Sequence, residues 1–73
     1  MAQVFVDGRV FEVSDVVIEV HCFGLRSFLN GRFRDDVAGK RGYVMDRLDR
    51  RSDSPAEVEA LKRVLAELQE ASV

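Results

Sequence analysis

The sequence predicts an α+β fold: a small antiparallel β-meander of three to four strands, with a C-terminal amphipathic helix packed on one face. Three observations carry that expectation. Residues 54–71 have the start signal and periodicity of a single helix. Asp7-Gly8 lies between two runs of β-branched and aromatic residues. The stretch VVIEVHCF, residues 16–23, holds four β-branched side chains in its first five positions. The 73 residues suit one compact domain, residues 1–73. A domain of this size buries only about 60% of its unfolded surface, so a core shared in a dimer would relieve its marginal stability.

In residues 3–13, QVFVDGRVFEV, the Asp-Gly pair fits a two-residue turn that needs positive φ at both central positions. That turn sets Val6 opposite Arg9, Phe5 opposite Val10 and Val4 opposite Phe11. Val4, Val6, Phe11 and Val13 then share the face expected to enter the core, and Phe5 and Val10 share the other.

Ser14-Asp15 reads as a break. Val16–Phe23 follows as a strand, because β-branched residues are stiff at χ1 and favour the pleated conformation. Val16, Ile18, Val20 and Cys22 would line one face, and Val17, Glu19, His21 and Phe23 the other. Residues 25–31 have two readings. Asn30-Gly31 either turns a second hairpin that pairs Phe28 with Phe33, or closes a short helical turn with Gly31 left-handed. The hairpin is the favoured one. Residues 37–42, VAGKRG, read as a loop by their two glycines. They are no phosphate-binding loop, since Gly39-Lys40 is followed by Arg41 and not by Ser or Thr. Residues 43–51 are either an edge strand at Tyr43–Met45 or a helix. Helix is preferred, because Val44 and Leu48, and Asp46 and Arg50, are each four apart. Ser52-Asp53 is the expected break before the last helix.

Ser54 is a good N-cap, Pro55 fits the first helical position, and Glu57 completes a capping box. Val58, Leu61, Leu65 and Leu68, with Val64 beside them, form one apolar stripe. An isolated helix of this length is marginal in water. The stripe must therefore dock on the sheet as core, or on another copy as a self-association surface.

The charge is unevenly spread over a net −2. Residues 1–23 carry one base against four acids, residues 24–51 eight against four, and residues 52–73 two against five. The basic middle supplies the candidate partner-binding residues: Arg26, Arg32, Phe33, Arg34, Lys40, Arg41, Tyr43, Arg47, Arg50 and Arg51. Arginines with interleaved aromatics make interface anchors. They can also hold phosphates and stack bases, although a pI near 5.3 does not fit the basic footprint of a nucleic-acid binder.

Catalytic residues are not expected. Cys22 and His21 are the only cysteine and histidine, and as strand neighbours they would point to opposite faces, out of reach as a nucleophile and base. One Cys and one His do not make a four-ligand zinc site without a second chain or carboxylates, so neither metal nor cofactor is expected. No apolar run approaches the roughly 20 residues of a membrane span, and the N-terminus lacks the pattern of a signal peptide. A cytoplasmic setting is expected. Together these features predict a non-enzymatic protein–protein interaction module that self-associates as a homodimer: a small regulator, adaptor or inhibitor of a larger protein, of the type found among phage and mobile-element accessory products. The alternative is a weak nucleic-acid-binding protein using the same arginine-rich middle.

Overall fold

The computed structural model describes residues 1–50 and 54–71. Two strands, β1 (Ala2–Val6) and β2 (Arg9–Val13), are followed by three helices, α1 (Asp15–Phe33), α2 (Val37–Arg50) and α3 (Pro55–Ala71). The class is α+β, but the protein is mostly helical, and the expected meander of three to four strands is replaced by a single two-stranded antiparallel hairpin.

The hairpin forms in the register its turn dictates, with Val4 opposite Phe11, Phe5 opposite Val10 and Val6 opposite Arg9. Asp7 and Gly8 both take positive φ, 52° and 76°, as the tight turn requires. Val4 is buried in the core, and Val6 and Val13 pack against it. Phe5 and Val10 face away, more than half exposed.

Residues 15–33 are one continuous helix, which corrects both the third strand and the second hairpin. Ile18, Cys22, Leu25, Leu29 and Phe33 recur at helical spacing; the first, second and fourth are buried and the others pack against them. That face outweighs the β preference of Val16, Val17, Ile18 and Val20, since intrinsic propensity is a weak prior beside burial. The residues assigned to one strand face separate accordingly: Ile18 and Cys22 are buried, while Val16 and Val20 are exposed. Asn30-Gly31 neither turns a hairpin nor closes the helix. The helix runs on to Phe33, and Arg34 donates its backbone N–H to the Asn30 carbonyl at 3.1 Å.

The expected loop at residues 37–42 is the start of α2. Its signal lies one residue upstream, where the Asp36 carboxylate accepts the Gly39 N–H at 2.9 Å and caps the first turn. Glycine belongs at position 39, because a Cβ there would come within 2.5 Å of the Asp36 carboxylate and 2.8 Å of the Phe33 ring. Residues 43–50 are helical, as preferred, so the edge strand at Tyr43–Met45 is excluded. Arg51 and the Ser52-Asp53 break lie outside the described residues.

Helix α3 begins where its start signal places it. The Ser54 hydroxyl accepts the Glu57 N–H at 3.4 Å, and the Ser54 carbonyl accepts the Val58 N–H at 3.1 Å. The helix packs against α1, α2 and both strands. Its buried face is broader than the leucine stripe, taking in Ala56, Val58, Ala60, Leu61 and Val64, with Leu65 and Leu68 half-buried beside them. This arc spans roughly 200° of the helix at about 100° per residue.

The two classes of leucine should differ in energetic weight. Leu61→Ala should cost about 2–5 kcal/mol in urea unfolding, the range for a fully buried leucine. Leu65→Ala should cost clearly less. Equal losses would contradict the packing described.

Candidate interaction surface

Four of the basic residues are engaged within the chain. Arg26 on α1 donates from Nε to the Glu67 carboxylate of α3 at 2.9 Å, with a second N–H on the other oxygen. This pairing holds the Glu67 carboxyl below its ordinary range. Arg47 on α2 reaches Glu57 of α3 at 2.6 Å, and Arg50 pairs with Asp46 within α2 at 3.1 Å. Lys40 donates to the Asn30 side chain at 2.8 Å, tying α2 to α1. Arg26 and Arg47 therefore work as struts between helices. Arg32, Arg34 and Arg41 make no ion pair among the described residues.

The aromatic side chains of the middle band are largely engaged with one another. The Tyr43 ring lies 5.0 Å from Phe28 and 6.0 Å from Phe33, centroid to centroid, and so bridges α2 to α1. Tilted contacts of this kind add to helix packing, and they leave less ring face open for a stacked base.

The leucine stripe is placed inside the protein: Val58 and Leu61 are buried, and Leu65 and Leu68 rest against the core. Exposed apolar surface lies on the outer side of the hairpin, at Phe5 and Val10, and in a longer run on α1. Val16, Val20 and Phe23 are 71%, 66% and 72% exposed. At about 100° per residue they share one side of the helix, opposite Ile18, Cys22 and Leu29. Val17 and Phe28 flank them, each more than two-fifths exposed.

Two grooves border this face. One is floored by Leu25, Phe28, Tyr43 and Leu61, with the Arg47–Glu57 pair at its rim. The other runs beside Val16, Val20 and Phe23, edged by Asp15, Glu19 and Arg26. Arg63 on α3 joins the charged border, reaching Glu19 at 3.4 Å and Glu59 at 3.0 Å. The surface is thus an apolar strip with a polar rim, the usual anatomy of a protein contact.

The sequence reading missed this strip, because as a strand residues 16–23 have no surplus apolar face. The signal was present: read at helical period, residues 15–33 carry two apolar faces, and a lone core needs only one.

Cys22 is fully buried, while His21 next to it is exposed. The strand argument for their separation falls with the strand, and burial now separates them. Burial also pushes the Cys22 thiol up, which Arg26 opposes only in part. Among the described residues no three His, Cys, Asp or Glu side chains come together as a metal site. Also among them, no helix is long and apolar enough to cross a membrane. Because the thiolate is the reactive form, a thiol reagent at neutral pH should label Cys22 only as fast as the protein opens. Labelling at the rate of a free thiol would contradict its placement. Comparison of the chain with protein-family models, with curated proteins and with solved structures gives no match.

Proposed function

We propose that the protein is a non-enzymatic protein–protein interaction module, a small regulator or adaptor that docks through the outer face of α1. The observation that carries this reading is the exposure of Val16, Val20 and Phe23 in line on a helix whose opposite face is already the core. Scattered exposed apolar residues are ordinary, but a contiguous strip with a charged rim is the mark of a contact surface.

A nucleic-acid reading has narrower support. It rests on Arg32, Arg34 and Arg41, whose guanidinium groups have no carboxylate partner among the described residues. Phosphate contacts by those three would make affinity for a single strand fall with salt, at a slope of about −0.7 per contact.

The test uses the whole chain as bait, compared with the double variant Val20→Glu/Phe23→Glu. Both positions are exposed, so the variant should keep the wild-type circular dichroism and melt within about 0.5 kcal/mol in stability. The protein partner held by wild type, whether a second copy or another chain, should be lost. Retention of the same partner by both baits would contradict the reading. Binding that follows Arg32→Glu/Arg34→Glu and salt instead would favour the nucleic-acid alternative.

A further inference from the structure

We propose that residues 16–20 of α1 are a conformational switch: they are helical while α1 packs on α3, and on release from α3 they become a third strand, antiparallel to β2.

The local determinants of α1 lean away from helix. Val16, Val17, Ile18 and Val20 are β-branched, stiff at χ1 and better suited to a pleated strand. Ser14 stands at the N-cap position, but its side chain makes no capping bond. Gly24 and Gly31 weaken the helix interior. Close packing does not require either glycine, because a Cβ at either would meet nothing within 4 Å. On the other side, Asp15 in the first turn and Arg32 in the last suit the helix dipole. Helix α3 makes the contrast. The Ser54 hydroxyl caps it, and Ala, Leu, Glu, Lys and Arg, all strong helix formers, fill its interior.

Long-range contacts therefore hold α1 helical. Ile18, Cys22 and Leu29 are buried in one core with Leu61 and Val64 of α3. Arg26 with Glu67, and Glu19 with Arg63, add ion pairs between the same two helices, and partly exposed pairs contribute little. Without the apolar contact, the local preference of residues 16–20 sets their conformation.

The hairpin offers that strand a place. The sheet has two strands, so β2 has a free side among the described residues. β2 ends at Val13 and α1 starts at Asp15, and Ser14 and Asp15 are both turn-forming residues. A two-residue turn there sets Val16 opposite Val13, Ile18 opposite Phe11 and Val20 opposite Arg9. Those three β2 residues are the cross-strand partners of Ala2, Val4 and Val6, on the side of the sheet that enters the core. Alternation then places Val16, Ile18 and Val20 on that same side, with Val17 and Glu19 on the outer one. Val16 and Val20, largely exposed in the helix, gain cover in the strand. The strand state gives up the contacts of Cys22 and Leu29 with α3, and those contacts keep the helix native. Two packings of one sequence compete when the difference between them is small.

The experiment follows backbone NMR shifts of the full chain, wild type and Leu29→Ala, through the thermal transition. Leu29→Ala empties a buried site of α1 outside the segment, so it loosens α1 and leaves residues 16–20 unchanged. A state should appear in which residues 16–20 carry strand shifts, Ile18 contacts Phe11 across strands, and α3 keeps its helical shifts. Leu29→Ala should raise its population over wild type by about tenfold or more at the same temperature. Val16→Ala/Val17→Ala/Val20→Ala replaces three exposed side chains with the better helix former. Added to Leu29→Ala, it should remove the strand state. Passage of residues 16–20 straight from helix to coil in both proteins overturns the switch. So does a strand signal that survives the three alanines. A strand signal that appears only as the solution mass rises also overturns it, since the strand would then lie against another copy and not against β2.

Discussion

Burial of the broad apolar face of α3 is the constraint on which the remaining structure depends. Ala56, Val58, Ala60, Leu61 and Val64 need cover on more than one side, and no single neighbour can provide it. The hairpin covers one side with Val4, α1 covers another with Ile18, Cys22 and Leu29, and α2 contributes Val44. None of these elements is stable alone: a two-stranded hairpin is marginal in water, and short helices need tertiary packing. Salt links follow the same plan, since Arg26 and Arg47 tie α1 and α2 to carboxylates on α3. These pairs are partly exposed and worth little each; they align the helices that apolar burial holds together.

The functional proposal is a consequence of that geometry. Once α1 has given Ile18, Cys22 and Leu29 to α3, its other side has no counterpart among the described residues. Val16, Val20 and Phe23 are then left in water at a cost of about 1.5–3 kcal/mol for each side chain that could be buried. Glycines 24 and 31 add a second cost in helix propensity. The apolar cost is recovered if a partner packs against the same side.

How legible this was in the sequence depended on how local the determinants were. The hairpin register follows from two residues, Asp7 and Gly8, and the start of α3 from Ser54, Pro55 and Glu57. Both are set by neighbours in the chain, and both were read correctly. Residues 15–33 were misread because the evidence for helix is spread over Ile18, Cys22, Leu25, Leu29 and Phe33, while the evidence for strand is concentrated in Val16–Val20. Two apolar faces on one segment also mask the helical period, since almost any spacing finds apolar partners. The α2 start was missed because Gly39 and Gly42 suggested a loop, although Asp36 supplied a cap. The candidate surface was hidden for the same reason as α1: a strip exists only once the helix does. The arginines form a band in the sequence, and two of them, Arg26 and Arg47, are taken up in pairs with α3.

The most direct test of this two-sided role for α1 is to follow side-chain NMR signals as the protein is diluted from millimolar to low micromolar. Signals of Val16, Val20 and Phe23 should shift with concentration along a single binding curve, while those of Ile18, Leu29, Val44 and Leu61 stay fixed. Shifts confined to Leu65, Leu68 or the hairpin would contradict the account. Outer-face signals that do not move at any concentration would exclude a second copy and leave another protein as the partner of that face.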